Sequence, residues 1–369
     1  MAGLYVHIPF CSSRCVYCGF YSTTSLSQRQ RYVDALCHEM EMRGPEQPSV
    51  ATVYLGGGTP SQLSAPQLKQ LFDAIYNIYN VEEDAEVTLE CNPDDVTDEF
   101  AGELPSLPVN RVSMGAQTFS DARLQFLHRR HSAGMVAEAV RRLRQAGIDN
   151  VSVDLMYGFP GETLTEWQQD IESALALNVE HLSAYALSYE EGTPLWQLLQ
   201  RGLAEELDDE LQRQMYYTLI DHLEAAGFEH YELSNFARQG RRSRHNSAYW
   251  NHTPYQGIGA AAHSLCGNRR QWNIDHLQHY MQAIEEGRVP AEEEVLDRDT
   301  LYNERVMTAL RTRQGLPLQL LSDEERNYCL RVAAKYFDCG WLRRDADRLC
   351  LTRDGLFVSD RVMSDLMKA

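Results

Sequence analysis

Three cysteines packed into one short run, Cys11-Ser-Ser-Arg-Cys15-Val-Tyr-Cys18, constrain this chain more than any other feature. The C-x3-C-x2-C spacing, set in a loop behind an apolar segment, brings three thiolates within reach of one another. Structural zinc usually takes four protein ligands, and full ligation of an iron–sulfur cluster takes four cysteines. A trio followed by Gly19-Phe20 therefore points to a 4Fe-4S cluster with one iron open to an exogenous ligand. A zinc site closed by His7 or a distant cysteine is the alternative.

The remaining cysteines, Cys37, Cys91, Cys266, Cys329, Cys339 and Cys350, are scattered without a pairing pattern and read as reduced thiols. With 369 residues the chain has room for one large α/β domain and a small appendage. No apolar stretch approaches the roughly 18 residues of a membrane span. The start, Met-Ala-Gly-Leu-Tyr-Val-His-Ile-Pro-Phe, lacks a basic n-region and breaks at proline, so a cytoplasmic protein is expected. A formal charge of -19 repels phosphate backbones and disfavours a nucleic-acid enzyme. The acidity is concentrated in residues 1–296, with 41 acidic against 21 basic side chains; residues 297–369 hold 12 against 13.

Short apolar runs alternate with amphipathic stretches six times, the βα pattern of a parallel sheet. Expected strands are 4–8, 52–55, 85–90, 111–114, 151–156 and 182–187. Expected helices are 28–43, 65–79, 98–104, 133–146, 164–177 and 208–226, with Asp208 or Asp209 as an N-cap and Gly147 and Gly227 as C-terminal caps. Six units predict a partial (β/α)6 TIM-like barrel over residues 1–235. In such a fold ligands sit at the carboxyl ends of the strands, where the cysteine loop, Gly56-Gly-Gly-Thr-Pro60, Glu90, Gln117 and Asp154 all fall. Residues 236–296 read as an irregular connecting segment covering the barrel's open side. Residues 297–369 read as a winged-helix-like α+β domain: helices 300–311 and 323–337, a hairpin 341–351 turning at 345–347, and a final helix 354–367. Its near-neutral charge favours a structural or partner-binding role over DNA contact.

Cys11, Cys15 and Cys18, with aromatic Tyr17 before the last, resemble the cluster loop of the radical S-adenosylmethionine superfamily. The flank Leu4-Tyr-Val-His-Ile-Pro-Phe-Cys is similar to the branch that holds oxygen-independent coproporphyrinogen III oxidase and the HemW-type heme chaperones, and later blocks match in order. The resemblance implies S-adenosylmethionine at the open iron, reductive cleavage to a 5'-deoxyadenosyl radical as the shared chemistry, and a set of cofactor contacts. These are Gly57, Gly58 and Thr59 after the second strand, Tyr17 against adenine, Tyr5, Glu90, Gln117, Arg129 and Asp154. Glycines let backbone approach a ligand closely, and polar ends on otherwise apolar strands suit such a site. Arg130 competes with Arg129, and rim packing or ion pairing is the plain alternative for each contact.

Within that branch the oxidases carry a further cysteine two residues after the third and an N-terminal arm. This chain has Phe20 there and ten residues before Cys11. The block His245-Asn-Ser-Ala-Tyr-Trp250 looks like the H-N-x-x-Y-W motif of the chaperones, followed by Tyr255-Gln-Gly-Ile-Gly and Ala262-His263-Ser264. The resemblance thus favours a chaperone that binds heme and passes it to acceptor proteins, respiratory ones among the expected partners; a radical enzyme of porphyrin metabolism is the alternative. His245, Asn246, Tyr249 and Trp250 are the expected heme residues, His252 and His263 compete as axial ligand, and Arg238, Arg241, Arg242 and Arg244 could pair with propionates. The alternative is a solvated basic loop, with Asn246 and Trp250 simply packing that segment on the barrel. A homodimer and peripheral membrane association are compatible with the resemblance.

Overall fold

The computed structural model describes residues 2–46 and 48–368. Its centre is a sheet of six parallel strands in sequence order: β1 (Ala2–Ile8), β2 (Val50–Gly57), β3 (Val81–Cys91), β4 (Arg111–Gln117), β5 (Val151–Tyr157) and β6 (His181–Ala186). On one face all six strands run apolar, because the crossover helices lay their apolar stripes over every second side chain. Leu4, Val6 and Ile8 of β1, and Val53 and Leu55 of β2, are fully buried there against Tyr32, Leu36, Leu68 and Leu71 of the first two helices. The helices begin where the sequence says they should. Asp208 accepts from the Glu210 and Leu211 amides at the start of Asp209–Ala225, Thr163 and Glu166 close a capping box on Leu164–Ala176, and Gly147 and Gly227 take the left-handed conformation after their helices.

Alternation sends the opposite set of side chains into the barrel lumen, and that set is polar. Strand pairing places Tyr5, Tyr54, Thr88 and Arg111 side by side in one layer, with Gly3, Thr52 and Glu86 in the layer towards the amino ends. Ser113, Ser152 and His181 continue around the lumen on β4, β5 and β6.

The segment expected as an irregular connector is instead built into the sheet. After the helix Asp209–Ala225 the chain forms a hairpin of β7 (Glu229–Glu232) and β8 (Asn235–Ala237), and β8 pairs antiparallel with β6. Further on, β9 (Tyr255–Ile258) pairs parallel with β1, and β10 (His263–Cys266), β11 (Arg269–Asn273) and β12 (Ala291–Val295) extend that edge antiparallel. The result is one twelve-stranded mixed sheet with both edges of the parallel core occupied. A boundary at residue 235 would cut the β7–β8 hairpin. The extension is locked by Glu39, fully buried on the first long helix, whose carboxylate accepts from the Gly259 amide, Asn273 Nδ2 and Tyr280 Oη at 2.6–2.8 Å and faces Arg43 at 3.2 Å.

The C-terminal part has its own core around Tyr302, Val306, Leu310, Cys329, Ala333 and Val362. Helices Arg298–Leu310 and Asp323–Asp338 pack with a small antiparallel sheet of β13 (Leu316–Pro317), β14 (Leu342–Asp345) and β15 (Arg348–Leu351). The expected final helix is two pieces, Arg353–Leu356 and Ser359–Leu366. No helix of the described residues is long and apolar enough to cross a membrane.

Candidate functional site

The cysteine loop leaves β1 and is pinned at both ends by backbone bonds: Cys11 N–H donates to Thr23 O at 2.9 Å, Val16 N–H to Leu127 O at 3.3 Å, and Leu195 N–H to Val16 O at 2.9 Å. Val16 is buried with Leu127, Met156, Phe159, Leu187 and Leu195, and Tyr17 packs against that cluster. The loop is therefore fixed on the barrel mouth by apolar anchors placed between the cysteines. All three thiols are free and partly exposed. Burial pushes Cys18 up to about 11 and raises Cys11, whose sulfur lies 3.6 Å from Thr59 Oγ1; each also feels the other thiols of the trio. No three thiol, imidazole or carboxylate groups of the described residues close around a single-ion position; the thiols stand as a loose rim.

Around that rim the expected contacts converge. Gly57 has φ 110°, and a Cβ there would lie 2.4 Å from the His7 ring; one on Gly58 would lie 2.7 Å from the Pro9 carbonyl carbon. The glycines let the β2 turn pass directly beside the end of β1. Glu90 accepts from Tyr54 Oη at 2.6 Å and from the Gly57 amide at 3.1 Å; burial raises it to about 7, and Asp154 is raised by burial too. Gln117 ends β4 in the left-handed region, φ 68°, a conformation unusual for a residue with a side chain.

Arg129 reaches over the mouth, its Nη2 donating to Asn92 Oδ1 at 2.8 Å and to the Gly115 carbonyl at 2.5 Å, with Nη1 3.6 Å from Cys15 Sγ. Arg130 turns outward to Asp94 and Asp95. Of the two arginines, Arg129 is the one beside the thiols. Two polar residues absent from the sequence expectations belong to this region. Asn92 links Arg129 to Thr59, donating from Nδ2 to Thr59 Oγ1 at 3.2 Å. Arg111 is buried in the lumen layer of Tyr5 and Tyr54, with Nε and Nη1 free of hydrogen-bond partners among the described residues. The alternation in Arg111-Val-Ser-Met-Gly-Ala-Gln117 carried that signal, since it puts arginine on the serine face.

The His245–Trp250 block lies at the other end of the lumen. It forms a short helix, Arg244–Trp250, capped by Ser243 and by the Glu86 carboxylate, which accepts from the Arg244 and His245 amides at 2.9 Å. The His245 ring is 1% exposed; Nδ1 pairs with Thr52 Oγ1 at 2.8 Å and Nε2 with Tyr249 Oη at 2.9 Å. It stacks on Tyr54 with centroids 4.9 Å apart, and burial lowers it to about 3. With both ring nitrogens engaged and almost no exposure, His245 belongs here to a plug packed into the strands' amino ends, and ligation of heme iron by it would require one of those hydrogen bonds to break.

Asn246 is half-buried at the helix start, and the Trp250 ring lies under the Arg311 guanidinium at 4.9 Å. Three of the upstream arginines are committed within the fold. Arg242 pairs with Glu229, Arg244 with Asp84 at 3.5 Å, and Arg238 lies on the Phe228 ring at 4.6 Å; Arg241 is exposed. His252 pairs with Thr308 Oγ1 of the C-terminal part at 3.0 Å.

A family model described as the radical SAM superfamily matches residues 5–174, and one described as the HemN C-terminal domain matches residues 296–358. These define the class. Among curated relatives, a protein named heme chaperone HemW from Mycobacterium tuberculosis is 37% identical over 372 residues, spanning 99% of this chain and 94% of its own. Its namesake from Bacillus subtilis is 39% identical over 294 residues, 79% of this chain and 78% of its own. The fold matches the coproporphyrinogen III oxidase HemN of Escherichia coli, described as a radical SAM enzyme, with a TM-score of 0.85 at 22% identity, covering all of this chain and 90% of that one. The chain belongs to the HemW-type family within the HemN-like branch of the radical S-adenosylmethionine superfamily.

The family implies a 4Fe-4S cluster and S-adenosylmethionine, and the rim residues fit both. Three free thiols share the mouth with one guanidinium, and the glycine turn opens backbone beside them.

Proposed function

We propose that this protein is a heme chaperone: it binds heme and passes it to acceptor proteins, with a 4Fe-4S cluster on Cys11, Cys15 and Cys18 and S-adenosylmethionine beside it. The observation that carries this reading is the likeness, along 99% of the chain, to proteins named heme chaperones. Phe20, 70% exposed where the resembling oxidases carry a further cysteine, supports it. When bound, the cluster supplies an open iron and a low-potential electron. The chain's own part is placement. Gly57, Gly58 and Thr59 offer backbone and hydroxyl groups to the methionine moiety, Tyr17 a ring to adenine, and Glu90, Gln117, Arg129 and Asp154 polar contacts, with Tyr5 below them in the lumen.

The experiment is a heme titration of anaerobically purified protein, followed by transfer to an apo-protein acceptor, beside an assay for 5'-deoxyadenosine and for decarboxylation of coproporphyrinogen III. Saturable heme binding and transfer without decarboxylation is the expected result. Vinyl product with carbon dioxide release would establish the oxidase instead.

A further inference from the structure

A cavity of about 890 Å³ opens on the flank of the barrel, between the end of the cysteine loop and the β9–β12 extension. Its size lies within the ~300–1,000 Å³ of small-molecule sites. Its walls are aromatic: Phe20 and Tyr21 from the loop, Tyr249 from the plug helix, Tyr255 from β9 and Trp272 from β11. Two imidazoles reach it. His7 has both ring nitrogens engaged, by Tyr5 Oη at 2.9 Å and Tyr21 O at 3.0 Å. His263 is exposed, stacks on Trp272 with centroids 6.2 Å apart, and makes no ring hydrogen bond among the described residues.

Resting on the chaperone reading, we propose that this flank cavity is the heme site, with His263 as axial ligand, the surrounding rings as porphyrin walls and Arg288 as partner of a propionate. The chemistry matches each part of the cargo. A flat apolar macrocycle is held by aromatic faces, ferric iron takes an imidazole with a free lone pair, and a carboxylate takes a guanidinium. Partial desolvation of the ring and nearby Arg270 lower the His263 pKa. Among the described residues the Arg288 guanidinium pairs only with Glu286, in an exposed pair, so it can be redirected at little cost. Asp275 and Glu292 line the same cavity and oppose the propionates, a charge arrangement suited to cargo that must leave. The H-N-S-A-Y-W block thus touches heme through Tyr249 and not through His245.

The test is a hemin titration of the full chain, read by absorption and magnetic circular dichroism, for wild type, His263→Ala, His263→Gly and, as control for surface imidazoles, His279→Ala. The expected result is saturable binding with an imidazole-ligated spectrum in wild type and His279→Ala. In the His263 variants that spectrum is lost and affinity falls about tenfold or more; added free imidazole restores the spectrum of His263→Gly, a rescue that a structural role would not give. Wild-type binding with an unchanged spectrum and affinity in folded His263→Ala would overturn the proposal and leave the chaperone reading intact. Absence of saturable hemin binding in wild type would sink that reading as well.

Discussion

At the carboxyl ends of β1–β6 the cysteine thiols face the barrel mouth, whereas at the amino ends the groups around His245 are joined by short hydrogen bonds, with the Trp250 indole N–H and the Thr88 hydroxyl left without partners among the described residues. The cysteine thiols make long contacts such as Cys11 with Thr59 and Cys15 with Arg129, both at 3.6 Å, and Glu90 is held up near 7 by burial. At the plug, Thr52, His245, Tyr249 and Glu86 close a network in which every ring nitrogen and both carboxylate oxygens are used. Groups built to meet a ligand are left short of partners in its absence, whereas groups that hold a fold are completed within it. The same alternation that supplies both ends therefore distinguishes a ligand rim from a structural plug.

The sharpest way to break this contrast is at the rim. Cys15→Ala removes one of three proposed cluster ligands, and iron and sulfide content of anaerobically purified protein is expected to fall to background with the fold intact by circular dichroism. Full iron retention would take Cys15 out of the site. Next is the arginine pair. Arg129→Met is expected to weaken S-adenosylmethionine binding by about ten- to a hundredfold, since a mostly buried charge-assisted donor is lost. Arg130→Met, which removes a half-exposed guanidinium from Asp94 and Asp95 away from the thiols, is expected to change S-adenosylmethionine binding by less than ~1 kcal/mol. Equal effects in calorimetry would erase the distinction.

At the plug, His245→Ala leaves Thr52 and Tyr249 unpaired around a cavity and is expected to cost ~2–4 kcal/mol in chemical denaturation. The folded fraction keeps its heme spectrum; loss of heme ligation without loss of stability would return His245 to the heme site. The smallest effect is in pH dependence. Burial lifts Glu90 to about 7, so between roughly pH 4.5 and 7 the folded state keeps a proton that the unfolded chain has released, and its contribution to stability falls as pH rises through that window. Glu90→Gln is expected to gain on the order of 1 kcal/mol over wild type above pH 7 and to match it near pH 4. A gain that is the same at both pH values would show that burial of the charge is not its source.

Much of the barrel was legible because it rests on local rules. The six βα units, the Asp208 cap and the Gly147 and Gly227 stops follow from period, capping and backbone freedom. The mouth was legible because Cys11, Gly57, Glu90 and Gln117 fall at strand ends. The edges of the sheet were not. Tyr255–Ile258, His263–Cys266 and Asn235–Ala237 are three- or four-residue strands, too short for periodicity, and their pairing with β1, β9 and β6 respectively is set by tertiary contacts. The partners of His245 were not legible for a related reason. An imidazole beside tyrosine and tryptophan suits iron or a packed network equally well, and the pairing with Thr52 and Tyr249 is set by residues far away in sequence or by local helix geometry.

What most needs measuring is the wild-type chain itself, purified without oxygen: iron, acid-labile sulfide and zinc per chain, then the electron paramagnetic resonance spectrum of the reduced protein before and after S-adenosylmethionine. The rim described here predicts about four irons and four sulfides and a spectrum that shifts when the nucleotide takes the open iron. Stoichiometric zinc, or a cluster spectrum indifferent to S-adenosylmethionine, would contradict it.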